Sequence, residues 1–325
     1  MSIAKTGRFV LTFWATLLFG ERVEAAPEPA SLQELRAKYA QPASKYMSIK
    51  GVEVHYLDEG SGPAILMIHG SYSSLRTYNG VAAALKGRYR VIRYDIPPQG
   101  LSGPVSDEAL KQLTPESMPE LLLTQLGVRS ATVVGVSYGG TIAYYFAAKR
   151  PDMVERLVLA NTPAASAAYA NPKKSKRYEA ESQANKTVPF PSYAYWDSFL
   201  DYFTGEPERM TPALRQEYFD MNRRIEKNLT ELVAKTANEA LTVANTAKVT
   251  GPVLLIWGAR DPMLGPDSAD VLAQYLKHAD VSKVLMPDVG HYPPLEAPER
   301  FAKIVAAYIE AATPVKPIAL APADR

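Results

Sequence analysis

Ala131-Thr132-Val133-Val134-Gly135-Val136-Ser137-Tyr138-Gly139-Gly140 runs directly into Thr141-Ile142-Ala143-Tyr144-Tyr145-Phe146-Ala147-Ala148. The β-branched stretch Ala131 to Val136 reads as a buried strand, and the apolar stretch from Thr141 reads as a helix. Between them sits Gly135-x-Ser137-x-Gly139, the spacing of a nucleophile elbow. A strand that turns this sharply into a helix leaves no room for side chains at the two flanking positions. The residue at the apex, Ser137, is then held in a strained backbone with its hydroxyl presented. The helix begins just behind that hydroxyl, so its N-terminal dipole favours negative charge developing there.

Working outward, apolar runs alternate with helical patterns on both sides of the elbow. Upstream, Lys45–Ile49 and Val52–Leu57 read as strands joined at Lys50-Gly51, a tight-hairpin signal. Ala64 to Ile68 is a continuous apolar run, as expected of a parallel strand covered on both faces. Tyr89 to Tyr94 is the next strand, and a helix over Met118–Leu126 leads into the elbow strand. Downstream come strands at Val154–Ala160, Pro252–Trp257 and Ser282–Met286, then a helix at Pro298–Ala311. The rhythm breaks between residues 164 and 248. There Trp196, Phe199, Leu200 and Phe203 form one helical stripe, and Ile225, Leu229, Leu232 and Val233 suggest a second helix.

The expected architecture is therefore α/β: a mostly parallel sheet flanked by helices, formed by residues 45–163 and 249–313. A helical cap, residues 164–248, is inserted late in the sheet. Residues 1–26 look like a secretory signal, with Lys5 and Arg8 ahead of the apolar stretch Phe9 to Gly20, which is too short to span a bilayer comfortably. Residues 27–44 read as a linker with a short helix, and 314–325 as a loose tail. A secreted or periplasmic protein is expected, with no stable membrane anchor once the signal is removed.

Composition narrows the chemistry. A net charge of +2 gives no basic excess to point to nucleic acid. The chain has no cysteine, which excludes disulfides and thiolate nucleophiles. None of its 4 histidines forms an HxH or HxxxH pair, so neither a metal nor another cofactor is expected. Ser137, Asp261 and His291 each fall at the carboxyl end of an expected strand. Parallel strands bring those ends to one edge of the sheet, where open α/β sheets bind ligands. Asp261 is placed to orient His291, and His291 to act as a base on Ser137. The strand Ala64–Ile68 ends in His69-Gly70-Ser71, where a small glycine lets the backbone approach Ser137. The N–H groups of Ser71 and Tyr138 are then the expected oxyanion donors. His69 and Asp95 read as structural groups beneath these loops. Tyr72, Tyr193, Tyr195 and Trp196 are candidates for lining a pocket.

These motifs resemble those of the α/β-hydrolase superfamily, in the form that carries an inserted cap. The resemblance rests on His69-Gly70-Ser71, Gly135-Val136-Ser137-Tyr138-Gly139 and Trp257-Gly258-Ala259-Arg260-Asp261-Pro262. It rests also on Gly290-His291-Tyr292-Pro293, with Glu296, Pro298 and Glu299 behind it. The chain order Ser, Asp, His is the one the superfamily uses. One loop departs: where members often carry D-x-x-G-x-G-x-S, Asp95-Ile96-Pro97-Pro98-Gln99-Gly100-Leu101-Ser102 has proline in place of the first glycine. The resemblance implies a serine hydrolase acting on a small-molecule substrate, an apolar ester of small or medium size, through an acyl-enzyme. A carbon–carbon bond hydrolase, a cofactor-free perhydrolase and a non-enzymatic ligand-binding protein on the same fold stay open as alternatives. Serine rather than aspartate at 137 argues against haloalkane dehalogenase and epoxide hydrolase chemistry.

Overall fold

The computed structural model describes residues 28–164, 175–224, 228–236 and 239–311. The expected signal, the tail from 314, the first residues of the cap and Ile225 lie outside the described residues. Eight strands make one sheet: β1 (Lys45–Ile49), β2 (Val52–Glu59), β3 (Ala64–Ile68), β4 (Arg90–Tyr94), β5 (Ala131–Val136), β6 (Val154–Ala160), β7 (Thr250–Gly258) and β8 (His278–Met286). Their order is β1-β2-β4-β3-β5-β6-β7-β8, and all neighbours from β4 to β8 are parallel. The β1–β2 turn is closed by Lys50 and Gly51, both at positive φ (52° and 81°). That is the conformation a two-residue turn between right-twisted strands demands.

The apolar runs are explained by cover on both faces. Ile65 and Met67 of β3 face one core cluster, and Leu66 and Ile68 face the other, the period of two of a strand buried twice. Helices α1 (Leu32–Tyr39), α2 (Asn79–Leu85), α3 (Asp107–Gln112), α4 (Ser117–Gln125) and α5 (Tyr138–Lys149) precede the insertion. Between β6 and β7 come α6 (Lys176–Ala184), α7 (Tyr193–Phe203), α8 (Pro212–Met221), α9 (Leu229–Ala234) and α10 (Glu239–Thr246). The chain closes with α11 (Pro266–Tyr275), α12 (Pro293–Glu296) and α13 (Pro298–Ala311).

Most boundaries fall within a residue or two of the sequence reading, and two departures have a physical cause. β8 begins at His278 rather than Ser282, because its outer half pairs backbone to backbone with β7 from Thr250 onward while its side chains stay largely exposed. An edge strand of that kind leaves no apolar run to read. Of the second cap stripe, Leu229, Leu232 and Val233 fall in α9, which starts after Asn228 in the left-handed conformation at φ 67°. The first stripe is one helix: Trp196, Phe199, Leu200 and Phe203 of α7 join the same core cluster as α2, α13 and one face of the sheet.

The segment before β1 is fixed to both parts of the molecule. Arg36 donates to the carbonyl of Leu101 (2.8 Å), while Lys38 and Tyr39 both reach Asp220 of α8 (2.6 Å each). Leu35 is buried with Leu101 and Met221. What reads in sequence as a linker is thus a strap between the core and the cap.

Candidate active site

The strand order reverses between β3 and β5, since β4 lies on one side of β3 and β5 on the other. Such a switch point opens a crevice at the carboxyl edge of the sheet. β3 delivers His69-Gly70-Ser71 to that crevice and β5 delivers Ser137. Ser137 has φ 52° and ψ −125°, a conformation that costs about 1–3 kcal/mol and persists only where its surroundings enforce it. They do so by close backbone approach. A side chain on Gly135 would meet the Gly140 Cα at 2.6 Å, and one on Gly139 would meet the Ile68 carbonyl carbon at 2.7 Å. The Ser137 amide donates to the Ala160 carbonyl (2.9 Å), and the Ser137 carbonyl accepts from the amides of Gly140 and Thr141 (2.9 and 3.2 Å). The Tyr138 N–H, in the first turn of α5, has no carbonyl within the helix to bind.

Four successive strands feed the same edge. After β5 and Ser137 come Asn161 at the end of β6, Asp261 just past β7 and His291 past β8. His291 Nδ1 hydrogen-bonds Asp261 Oδ2 at 2.6 Å, with both side chains almost fully buried. Asp261 accepts four hydrogen bonds. Its Oδ2 also takes the Asn161 side-chain N–H (2.7 Å), and its Oδ1 takes the amides of Met263 (2.9 Å) and Leu264 (3.0 Å). Both carboxylate oxygens thus act as acceptors, and Nδ1 of His291 carries the hydrogen. Nε2 is left with the lone pair a base needs. Asn161 is itself fixed, its Oδ1 accepting from the Gly258 amide (2.9 Å).

On the other side of Ser137, Gly70 lies so close that a side chain there would meet the Ser137 Cβ at 3.1 Å. His69 is fully buried; its Nε2 accepts from the Ile96 amide (2.9 Å) and its Nδ1 donates to the Gly70 carbonyl (2.7 Å). A trans peptide points its N–H opposite to its C=O, so the Ser71 N–H faces away from the His69 ring. Burial depresses the His69 pKa, against the pull of the Asp95 charge, which keeps this ring neutral. Asp95 accepts from the amides of Leu75 and Leu101 (2.7 Å each) and from His55 Nδ1 (2.7 Å). Both groups thus act on loop backbones, the role their positions suggested. The loop with the substituted glycine keeps Gly100 at φ 59°, where a side chain would run into the Asp95 carboxylate. Its Gln99 accepts from the Tyr72 amide (3.0 Å).

The pocket candidates separate into two groups. Tyr72, Tyr195 and Trp196 meet: Tyr72 lies 5.6 Å and Tyr195 5.0 Å from the Trp196 ring. Tyr193 packs on Phe219 instead (5.8 Å). From Trp196 the ring contacts continue through Phe199 (5.3 Å) and Phe203 (4.5 Å) to His291 (5.6 Å). An aromatic line along α7 therefore connects the Ser71 side of the site to the imidazole. Asn161 and Glu296 are the residues sequence reasoning did not place at the site. Glu296 belonged to a motif, but its contacts with the amides of Gly205, Gly290 and Tyr292 join segments far apart in the chain. Among the described residues no cluster of three or more His, Cys, Asp or Glu could hold a metal.

The sequence pattern of the family described as "alpha/beta hydrolase fold" matches residues 63–298. The chain is 26% identical over 254 residues to Lipase 1 of Psychrobacter immobilis, covering 76% of this chain and 77% of that one. It is 25% identical over 264 residues to the cis-3-alkyl-4-alkyloxetan-2-one decarboxylase of Shewanella oneidensis, covering 76% and 82%. The crystal structure of a putative lipase from Acinetobacter baumannii AYE superposes with a TM-score of 0.68 at 22% identity, covering 89% of this chain and 98% of that one.

Proposed function

The chain belongs to the α/β-hydrolase family and is a hydrolase, and from that premise we propose that it cleaves small or medium apolar esters through a Ser137 acyl-enzyme. The observation that carries the proposal is the buried 2.6 Å His291–Asp261 hydrogen bond at the sheet edge that also presents Ser137. Nε2 of His291 takes the Ser137 proton as Oγ bonds to the ester carbonyl carbon. Asp261 holds the imidazole tautomer and stabilises the imidazolium. The carbonyl oxygen becomes an oxyanion between the amides of Ser71 and Tyr138, close to the N-terminus of α5. The imidazolium then gives its proton to the departing alkoxide, the carbon–oxygen bond breaks, and water activated by Nε2 releases the carboxylic acid. The aromatic line from Tyr72 to Phe203 supports an apolar substrate.

The test is hydrolysis of 4-nitrophenyl esters, from acetate to long acyl chains, by the wild type and by Ser137→Ala. Turnover that disappears in the variant supports the reading, and the chain-length optimum sizes the pocket. A wild type that turns over no ester in a Ser137-dependent manner overturns it.

A further inference from the structure

Phe203 to Gly205, where the chain leaves α7, lies directly against residues 288–292, the loop that carries His291. The approach is backbone to backbone. The His291 amide donates to the Phe203 carbonyl at 2.7 Å, and a side chain on Gly290 would meet the Gly205 nitrogen at 2.7 Å. A side chain on Gly205 would in turn meet the Asp288 carbonyl at 2.5 Å. Glycine at both places is what allows two main chains to come this close.

One carboxylate is inserted at this crossing. Glu296, only 5% exposed, accepts from the amide of Gly290 (2.9 Å to Oε2 and 3.1 Å to Oε1) and from that of Tyr292 (3.0 Å). These are the residues on either side of His291. Its Oε2 also accepts from the Gly205 amide at 2.7 Å. Three N–H groups from two distant segments thus converge on one carboxyl group. Only a carboxylate offers acceptors in all of those directions.

We infer that Glu296 is a positioning residue: it holds the peptide bonds flanking His291 and ties them to the exit of cap helix α7. The inference rests on the reading of His291 as the base. α7 also carries Trp196, Phe199 and Phe203, so Glu296 makes the imidazole and the aromatic wall of the site one mechanical unit. Substrate pressing on that wall bears on the backbone of the base through Glu296 as well as through the His291–Phe203 main-chain bond. A purely structural glutamate would hold the fold together and leave the setting of the imidazole to Asp261 alone.

The two roles separate by experiment. Glu296→Gln keeps size and shape but turns an N–H₂ toward at least one of the three amides. Glu296→Ala leaves all three without their partner. Leu122→Ala, a fully buried core truncation on α4, serves as the control for lost stability. For the best 4-nitrophenyl ester, kcat is expected to fall about tenfold in Glu296→Gln and about 10²-fold in Glu296→Ala, with KM nearly constant, because small misplacements of a reacting group have costs of this size. The control is expected to lose thermal stability and keep its kcat. In proton NMR the downfield resonance of the His291 Nδ1–H is expected to shift or broaden in both Glu296 variants and not in the control. Glu296 variants with wild-type kcat, or with an unmoved resonance, would overturn the inference. If the wild type turns over no ester, the proposed reaction fails, and the resonance alone then decides whether Glu296 positions His291.

Discussion

Replacing Asp261 by asparagine exchanges one oxygen for an N–H₂, and the hydrogen bonds around the carboxylate determine the consequence. Two donors face each oxygen: the amides of Met263 and Leu264 on Oδ1, the side chains of Asn161 and His291 on Oδ2. If the new amide keeps its oxygen toward Met263 and Leu264, its N–H₂ opposes His291. The imidazole must then accept at Nδ1 and carry its hydrogen on Nε2, where it cannot take the Ser137 proton. If the amide turns over, the useful tautomer returns, but two buried backbone N–H groups now face an N–H₂. Asn161 cannot rotate to help, because its Oδ1 holds the Gly258 amide. The first arrangement leaves the Asn161 N–H facing the N–H₂, so the productive one has one more orphaned N–H; at about 1–3 kcal/mol each it is disfavoured by about 2 kcal/mol, or roughly 30-fold in rate. The corresponding substitution in the serine-protease template costs about 10⁴ in kcat. The expected loss of kcat on the best 4-nitrophenyl ester is therefore between about 30-fold and about 10⁴-fold, with the folded structure retained. A loss of less than about tenfold would show that Asp261 does not set the His291 tautomer and would refute the reasoning.

Two further outcomes concern stability. Ser137→Gly removes a strain of about 1–3 kcal/mol, while glycine adds about 0.4–1 kcal/mol of chain entropy to the unfolded state. The inactive variant should therefore be about 1 kcal/mol more stable than the wild type, and a lower urea midpoint would count against strain at the elbow. His69 is held below the ordinary histidine pKa of about 6.5 by burial, so the unfolded chain takes up this proton first as the pH falls. Stability from this group is complete above about pH 6.5 and declines as the pH drops toward the lowered folded value. Urea midpoints measured from pH 8 to 5 should fall more steeply for the wild type than for His69→Gln, and equal slopes would contradict the assignment.

What the sequence made legible was whatever burial enforces locally. β3 and β5 are buried on both faces, and they were visible as an uninterrupted apolar run and a β-branched stretch. The elbow was visible because backbone contact excludes every residue but glycine at 135 and 139. Asn161 was not, for it reads as a polar residue ending a strand. Only the fold supplies the Asp261 carboxylate from 100 positions away. The outer half of β8 was hidden because backbone pairing with β7 forms it and its exposed side chains obey no pattern. The start of α9 was not legible, because periodicity ignores a single left-handed residue such as Asn228.

The way the cap is fastened bears on where specificity can reside. Arg224 donates to the carbonyls of Gly100 (2.7 Å) and Ser102 (3.0 Å), and Lys235 to that of Leu113 (2.5 Å). Asp220 takes Lys38 and Tyr39 from α1, and Glu296 takes Gly205. Most of these bonds join a charged side chain to a main-chain group, so they fix the cap without specifying what surrounds them. Replacing neighbouring side chains leaves such fastenings in place. The rings of α7 are held differently, by contact with one another and with Tyr72, and the last of them, Phe203, stands against His291. Under the proposed function, the reaction is assigned to the sheet edge and the choice of substrate to α7. Substitutions at Trp196 or Phe199 should redistribute kcat/KM among esters of different chain length, whereas they should leave the order of events at Ser137 unchanged.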